Sequence, residues 1–163
     1  MIVLLFLLII LVITVFYSWK LGISPMPSTS QAKKAIYSLL PLEVNGTVYE
    51  LGAGWGDILK ELTTRYPNVV GYELSPLPWA VASLRTKKCL REDFFKADLK
   101  DAGLIVCYLY PGAMRKLKEK FEKELKPGTW VISNTFQIPG WEPKQIITLR
   151  DLYHTPVYLY EKK

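Results

Sequence analysis

The chain contains few residues that bind metals or form disulfides. Among its 163 residues there are two cysteines and one histidine. This composition argues against both a disulfide and a metal site. Cys89 and Cys107 lie at or inside predicted strands, so we expect reduced, apolar thiols in a reducing compartment. The single histidine, His154, is expected at the surface or in a hairpin rather than in catalysis.

Charge is missing from the start of the chain. Residues 1–17 carry no charged side chain and little polarity beyond Thr14. At about 1.5 Å per residue, an apolar helix over residues 1–19 nearly matches the ~30 Å hydrocarbon core of a bilayer. A cleaved signal peptide is the competing interpretation, but no basic residue precedes the run and no small-x-small cleavage site follows it. The sequence therefore predicts one N-terminal transmembrane helix over residues 1–19.

The positive charges predict the orientation of this anchor. Every lysine and arginine lies at or after position 20, and Trp19 with Lys20 forms an interfacial pair. The positive-inside rule then places the C-terminal body in the cytoplasm. We expect residues 20–30 to form a linker and residues 31–163 one domain, because roughly 140 residues suffice for a single α/β core but not for a separate substrate domain.

The body of the chain is basic. The formal net charge is +6, to which the apolar start contributes no side chain. Such a charge suits an anionic membrane surface, and nucleic acid is the alternative partner. In residues 115–126, however, cations alternate with acids, and Leu117, Phe121 and Leu125 recur at four-residue spacing. Because that pattern is typical of a solvated amphipathic helix, we expect a membrane partner and no nucleic acid.

The rest of the chain alternates between predicted strands and helices. Continuous apolar runs bounded by turn residues indicate buried strands, and the stretches between them have helical spacing. Strands are predicted near residues 48–50, 69–73, 88–91, 104–109, 129–133, 145–150 and 157–160. Helices are predicted from about residue 31 to 40, from residue 58, from 75 to 85 and from 115 to 126. This order predicts an α/β fold with a doubly wound, mostly parallel, seven-stranded Rossmann-like sheet that ends in an antiparallel hairpin.

A glycine-rich turn follows the first strand. Glu50 comes near the strand end and is followed by Gly52, Gly54 and Gly56, and a second strand ends at Glu73. Parallel sheets bind ligands beyond the carboxyl ends of their strands, where glycines let the backbone approach closely and a helix N-terminus offers free N–H groups. Glu73, about 20 residues after the glycines, is placed to accept ribose hydroxyls. The pair of acids predicts a nucleoside-containing cofactor.

The glycine spacing discriminates between cofactors. Dinucleotide sites have the pattern G-x-G-x-x-G, whereas here the third glycine comes one residue early and Asp57 follows it. A carboxylate near the ligand repels pyrophosphate and suits a cation. A turn that merely connects strand to helix is the competing interpretation, against which stand both acids and the βαβ context. The expected cofactor-binding residues of this region are Glu50, Gly52, Ala53, Gly54, Trp55, Gly56, Asp57, Glu73 and Leu74.

Further candidates follow the later strands. Asp93 can accept an adenine amino group while the ring of Phe94 covers the base, and Phe95 is expected in the core. One tyrosine of the pair Tyr108 and Tyr110 is expected to point into the sheet packing, and Tyr110, held extended by the next proline, is the choice for the site. The aromatic, proline-bounded loop with Phe136 and Trp141 can line a channel for a long acceptor side chain.

These motifs together resemble a known family. Pro25-x-Pro27, Glu-x-Gly-x-Gly-x-Gly, the Gly-Tyr-Glu-Leu-x-Pro run from residue 71, Asp-Phe-Phe-Lys from residue 93 and Phe-x-x-Pro-x-Trp-x-Pro from residue 136 are similar to the membrane-anchored lysine methyltransferases of ATP synthase c subunits and adenine nucleotide translocases and their prokaryotic relatives. The resemblance covers about residues 25–160. It implies the class I methyltransferase fold, S-adenosylmethionine (SAM) as cofactor, an N-terminal membrane segment, a lysine acceptor, and a cover over the site from residues 25–29.

The expected function is methylation of a lysine on a membrane protein at the cytoplasmic face of the membrane. Transfer would be direct and in line, with Tyr110, Phe136 and Trp141 lining the acceptor channel and desolvation lowering the lysine pKa. Two alternatives stay open: a lipid or small-molecule acceptor, and a non-catalytic membrane adaptor that keeps the SAM-binding fold.

Overall fold

The computed structural model describes residues 27–163 together with Leu5, Leu8 and Val12. The predicted anchor over residues 1–19 lies, apart from those three positions, outside the described residues, as do residues 20–26 of the predicted linker. Across the described part of the chain, no helix is both long and apolar enough to cross a bilayer.

The described body is a seven-stranded sheet with helices on both faces. The strand order is β3-β2-β1-β4-β5-β7-β6, in which the first five strands are parallel to one another and β7 is antiparallel to β5 and to β6. The strands are β1 Thr47–Leu51, β2 Val69–Tyr72, β3 Cys89–Leu90, β4 Ala102–Cys107, β5 Trp130–Asn134, β6 Gln145–Thr148 and β7 Pro156–Glu161. The helices are α1 Ser30–Leu39, α2 Asp57–Arg65, α3 Pro76–Thr86 and α4 Pro111–Glu124. The predicted doubly wound sheet with a terminal antiparallel hairpin is confirmed.

The helices cover the sheet with two apolar layers. Ile36 of α1, Leu62 of α2 and Ala82 of α3 belong to one buried cluster, so these three helices share a face. Leu117 and Phe121 of α4 belong to the cluster on the other face. Every residue of β4 is buried, as expected of a central parallel strand with both faces covered.

One boundary differs from its prediction in a way that shapes the site. The fourth strand ends at Cys107 instead of residue 109, and α4 begins at Pro111 instead of residue 115. Proline is favoured at the first helical position, where its missing N–H is not needed, and the residue before it stays extended. Residues 108–110 therefore form a short connection between β4 and α4, with Tyr110 extended.

The parallel strands end together on one side of the sheet, which we call the carboxyl edge. Leu51, Tyr72, Cys107 and Asn134 are the last residues of β1, β2, β4 and β5. The opposite side, where these strands begin, is the amino edge. Because β7 is antiparallel to β5 and Val157 pairs with Asn134, the turn that joins β6 to β7 also lies at the carboxyl edge.

Candidate active site

Two adjoining cavities open at the carboxyl edge and share Gly52, Glu73 and Leu109. The first, which we call the glycine-loop cavity, is lined chiefly by Glu50, Gly52, Ala53, Gly54, Trp55, Asp57, Glu73, Tyr108, Pro27 and Ser28. The second, which we call the aromatic cavity, is lined by Gly52, Tyr72, Glu73, Leu74, Asp93, Phe94, Phe95, Leu109, Tyr110 and Ala113. The structure therefore brings most of the predicted cofactor residues to one place, and Pro27 and Ser28 lie at the cavity as the expected cover.

Two glycines of the loop serve different purposes. Gly56, with a φ of +79°, precedes α2, and a Cβ there would lie 2.8 Å from the Cβ of Ala82. This glycine lets α2 and α3 pack closely and does not line the cavity. Gly54, with a φ of +53°, lines the cavity, and a Cβ there would meet no protein atom within 4 Å. The space beside Gly54 is open for a ligand.

Glu73 ties the second strand to the glycine loop. Its Oε2 accepts a hydrogen bond from the Gly54 N–H at 2.9 Å, and its Oε1 accepts one from the Ser75 N–H at 2.7 Å. Each carboxylate oxygen can accept a second hydrogen bond. Glu73 thus lies where a ribose contact was predicted, and it also holds the loop in position.

Glu50 is buried in the glycine-loop cavity without full hydrogen bonding. Its side chain is 4% exposed, and its Oε2 has no partner. Burial is the largest cause that raises the pKa of Glu50 well above its ordinary value, and repulsion from Glu73 and Asp57 adds to the rise. A backbone hydrogen bond with Leu59 opposes it. Among the described residues that line this cavity there is no lysine, arginine or histidine. A cationic ligand would supply the missing partner.

Asp57 is less available to a ligand than predicted. Its carboxylate lines the cavity, but it accepts a hydrogen bond from Arg85 Nη1 at 2.6 Å and lies 3.7 Å from Lys33 Nζ. Arg85 also donates to the backbone oxygen of Trp55 at 3.0 Å. Asp57 therefore lies at the cavity as expected, but its charge is already paired within the protein. Arg85, which sequence reasoning missed, joins the end of α3 to the glycine loop.

The aromatic cavity contains the residues predicted to meet an adenine base. The rings of Phe94 and Phe95 are tilted with centroids 4.6 Å apart, and Asp93 Oδ1 accepts a hydrogen bond from the Phe95 N–H at 3.0 Å. Phe95 was expected in the core but is only half-buried and lines the cavity beside Phe94. Residues 94–96 form a turn soon after the two-residue strand β3, and this turn holds Phe95 at the cavity.

Both tyrosines after the fourth strand line a cavity, and Tyr110, the one chosen for the site, also packs against the core on the α4 face. Tyr108 lines the glycine-loop cavity, Tyr110 lines the aromatic cavity, and both are half-buried. Leu109, between them, is the buried residue. Strand alternation stops at Cys107, so it does not decide the direction of these side chains. Tyr108 thus joins the lining of a cavity for which sequence reasoning did not choose it, and Pro111 was the signal that the strand ends early.

Within the described part of the chain, the structure does not bring Phe136 and Trp141, the predicted lining of the acceptor channel, to the two cavities. The Trp141 ring packs 6.2 Å from that of Phe121 and 6.0 Å from that of Tyr160, with Lys162 Nζ 5.3 Å from its centroid. Tyr160 pairs with the second residue of β5, so Trp141 lies on the α4 face, away from the carboxyl edge.

The path of the loop gives the physical reason. Phe136 packs partly buried against the α4-side core, and its backbone oxygen accepts a hydrogen bond from Ser133 Oγ. The Ile138 N–H donates to Tyr160 Oη at 3.1 Å, and Ile138 is buried. The loop therefore folds back onto the helix layer. His154, expected at the surface or in a hairpin, is exposed in the turn between β6 and β7.

Comparisons with known proteins agree on one class of protein. A family model described as the ANTKMT methyltransferase domain matches residues 50–145. A protein-lysine N-methyltransferase of Saccharolobus islandicus is 31% identical over 149 residues, covering 83% of this chain and 91% of the relative. An adenine nucleotide translocase lysine N-methyltransferase of Mus musculus is 30% identical over 111 residues, covering 63% of this chain. The match spans 48% of the mouse protein, about half its length.

A solved structure shares both the fold and detectable sequence similarity. The crystal structure of an RNA methyltransferase from Salinibacter ruber in complex with S-adenosyl-L-homocysteine superposes with a TM-score of 0.72 at 26% identity. The match covers 83% of this chain and 93% of that one.

Proposed function

The chain belongs to the ANTKMT methyltransferase family, and from this premise we propose that it methylates a lysine of a membrane protein at the cytoplasmic face of the membrane. Membership confirms the resemblance inferred from the motifs. It also confirms that the chain is a SAM-dependent methyltransferase. The acceptor class of the proposal comes from the relatives, which are named for protein lysine and for a lysine of the adenine nucleotide translocase.

The observation that carries the cofactor assignment is the unpaired oxygen of buried Glu50. SAM has a sulfonium that activates its methyl group and an ammonium group, so it brings positive charge to a cavity that contains carboxylates and no described cation. Glu50 and the open space beside Gly54 would hold the charged part, and Glu73 the ribose. Asp93 and Phe94 would hold the adenine. The residues present thus fit the cofactor.

Catalysis in this site would depend on position more than on acid–base chemistry. Tyr108 lies in the glycine-loop cavity with Pro27 and Ser28, and these residues form an uncharged wall beside Glu50. An acceptor amine that enters between them is desolvated, which lowers its pKa and favours the neutral nucleophile. Holding that amine in line with the reacting centre can lower the barrier by roughly 7–11 kcal/mol. Tyr108 replaces Trp141 and Phe136 as the candidate for this role.

Membrane attachment is supported by the sequence. Residues 1–19 form a run long enough to cross a bilayer thinly, and every lysine and arginine follows it. The described part of the domain begins at Pro27, which lines the glycine-loop cavity. Pro27 follows Lys20 by seven positions, a reach of at most about 25 Å. An anchored enzyme would therefore hold its cavity close to the lipid surface, where a lysine of a membrane protein can reach it.

The experiment that tests the reaction is transfer of labelled methyl from SAM into native membranes by the full chain. We expect label in one protein band, and loss of that label in Glu73→Ala, because the substitution removes the ribose acceptor and releases the Gly54 and Ser75 N–H groups. Glu142→Ala is the matched control, since Glu142 is an acid whose side chain is 90% exposed and lies outside both cavities.

Each other distribution of label contradicts a named part of the proposal. Label in lipid or in a soluble small molecule would keep the enzyme and overturn the lysine acceptor. Label in RNA would place the chain with the acceptor class named for the Salinibacter ruber structure. Full activity of Glu73→Ala would overturn the site assignment, and no label in any fraction would favour the non-catalytic adaptor.

The orientation has a separate test. Leu84 is 85% exposed near the end of α3. In Leu84→Cys, an impermeant maleimide should label the full chain in inverted membrane vesicles and not in intact cells. Labelling in intact cells would contradict the cytoplasmic location.

A further inference from the structure

The turn between β6 and β7, residues 149–155, carries an unusual pair of exposed apolar side chains. Leu152 is 86% exposed and Tyr153 is 83% exposed. Among the described residues these two form the one consecutive pair of large, exposed hydrophobic side chains. Single exposed hydrophobics are ordinary, but an adjacent aliphatic and aromatic pair is typical of surfaces that contact a partner or a membrane. We call residues 149–155 the hairpin tip.

Hydrogen bonds hold the hairpin tip in one conformation. The two oxygens of Asp151 accept from the Thr155 N–H at 2.8 Å and from Thr155 Oγ1 at 2.6 Å. The Leu149 N–H donates to the backbone oxygen of Thr155 at 2.9 Å. The Leu149 side chain is buried in the apolar cluster to which residues of α1 also belong. A tip fixed from its base presents Leu152 and Tyr153 with little further ordering needed on binding.

The hairpin tip projects from the same edge of the sheet as the glycine-loop cavity. Val157 pairs with Asn134, the last residue of β5, and the Thr135 N–H donates to the Pro156 oxygen at 2.8 Å. The tip therefore extends beyond the carboxyl end of β5. Pro27, where the apolar N-terminal run leads into the domain, also lies at this edge.

These placements point to one occupant. We propose that the hairpin tip inserts Leu152 and Tyr153 into the lipid interface and so docks the carboxyl edge on the membrane. The inference rests on the anchor of the proposed function, because an anchor within about 25 Å of Pro27 brings this edge to the lipid surface. Tyrosine is favoured at the interface, where its ring enters the apolar layer and its hydroxyl stays wet.

The charges of the hairpin tip suit an anionic surface. Arg150 is exposed and precedes the apolar pair, where it can contact lipid phosphates. Asp151 is the one acid of the tip, and both of its oxygens are directed to Thr155. Docking by two points, the anchor and the tip, would fix the direction in which the cavity faces. A lysine close to the membrane surface would then be favoured over a lysine on a freely diffusing protein.

The test places a dye at the hairpin tip of the full chain. In Leu152→Cys the new thiol carries an environment-sensitive fluorophore, and Leu84→Cys is the matched control, since Leu84 is equally exposed and lies on α3, outside the hairpin tip. The native thiols should not react, because burial raises the pKa of Cys89 and that of Cys107 to about 12. The proteins are reconstituted in vesicles of phosphatidylcholine and phosphatidylglycerol, with and without brominated acyl chains.

We expect a blue-shifted emission that brominated lipid quenches at position 152 and an unquenched, water-like emission at position 84. Equal, water-like emission at both positions in a chain that floats with the vesicles would overturn the tip proposal alone. A chain that does not float would overturn the anchor of the proposed function, and the tip proposal with it. A dye at 152 that is shielded in native membranes but not in pure lipid would overturn the lipid assignment and indicate a protein contact.

A second variant tests the consequence for activity. Leu152→Ser combined with Tyr153→Ser should lower the initial rate of methyl transfer to native membranes about tenfold, because apolar area buried at the interface is lost. SAM affinity and flotation should not change. An unchanged transfer rate would contradict a docking role.

Discussion

Glu50 and Asp101 lie at opposite edges of the sheet, and the protein surrounds their carboxylates in opposite ways. Glu50 stands near the carboxyl end of β1, is buried, and has one oxygen without a partner. Asp101 stands beside the start of β1 and is exposed. It accepts hydrogen bonds from Thr47 Oγ1 at 2.7 Å and Tyr49 Oη at 2.8 Å.

The pKa values of the two carboxyl groups move in opposite directions. Burial raises that of Glu50, whereas the hydrogen bond from Thr47 does most to lower that of Asp101. A buried carboxylate without partners destabilises a fold, so its presence in a cavity indicates a ligand that completes it. Asp101 is already satisfied by Thr47 and Tyr49 of β1 and indicates structure. The comparison separates the carboxylate that we propose to bind the cofactor from the structural one.

The largest expected effect comes from removing the charge of Glu50. Glu50→Gln keeps the shape of the side chain but loses the negative charge that would face the cofactor. We expect the Kd for SAM to rise about 100-fold, which corresponds to about 2.7 kcal/mol and lies within the range for hydrogen bonds to charged groups. Isothermal titration calorimetry on both proteins gives the two Kd values.

Asp101→Asn is the control for that substitution. It makes the same chemical change at the other edge of the sheet, so the Kd for SAM should stay at the wild-type value. If both variants lose affinity equally, overall fold stability is the cause, and the assignment of Glu50 to the cofactor site is wrong.

The second effect is on the pH dependence of stability without cofactor. Glu50 has a folded-state pKa above its ordinary value of 4.5. Its contribution to the free energy of unfolding is therefore fully present below pH 4.5 and is lost as the pH rises from there through the folded-state pKa. One such group changes stability by at most about 1.4 kcal/mol per pH unit.

Denaturant unfolding at a series of pH values checks this slope. The wild type should lose stability relative to Glu50→Gln as the pH rises above 4.5. Asp101 works in the other direction, since its contribution is present above 3.8 and is lost as the pH falls through its lowered pKa. Parallel curves for wild type and Glu50→Gln would show that Glu50 is not the buried acid described here.

Arg85 offers a third, smaller effect at the functional edge. Arg85→Ala removes the hydrogen bonds to the Trp55 oxygen and the Asp57 carboxylate, which position the glycine loop. We expect the Kd for SAM to rise about tenfold, or about 1.4 kcal/mol. Stability should fall by less than about 1 kcal/mol, because the side chain is half exposed. Calorimetry and thermal unfolding measure the two quantities.

Arg65→Ala is the matched control for this positioning residue. The two arginine side chains are 42% and 43% exposed, and each pairs with an acid, Arg65 with Glu61 at 2.8 Å. Arg65 does not contact the glycine loop. An equal loss of SAM affinity in both variants would mean that Arg85 acts only through general helix stability.

The sequence predicted the cofactor side of the site because the relevant signals are local. Glu50, the glycines and Glu73 lie within one βαβ unit, and parallel strands bring their carboxyl ends together regardless of the rest of the fold. Arg85 escaped this reasoning, since its contact with Trp55 joins residues 30 apart in the chain. No spacing rule connects an arginine at the end of one helix to the loop before another.

The acceptor side could not be predicted in the same way. Trp141 lies in a loop whose direction is decided by burial against Phe121 and Tyr160. Both of these residues are far from Trp141 in sequence. When the course of a loop is not known, an aromatic residue in it can equally well fill a core or line a channel. The end of β4 is easier to predict from sequence, because Pro111 marks where the helix begins. That helix start places Tyr108 beyond the strand.

The smallest effect returns to the amino edge and tests the other half of the comparison. Asp101→Asn weakens the hydrogen bonds from Thr47 and Tyr49, so we expect the free energy of unfolding at neutral pH to fall by about 1 kcal/mol, a modest value because Asp101 is exposed. Tyr49→Phe should remove one of the same two bonds, and the double variant should lose less than the sum of the single losses. Denaturant titrations of the three variants supply these values. Additive losses would mean that Asp101 and Tyr49 stabilise the fold independently, and Asp101 could then not be described as a carboxylate satisfied by β1.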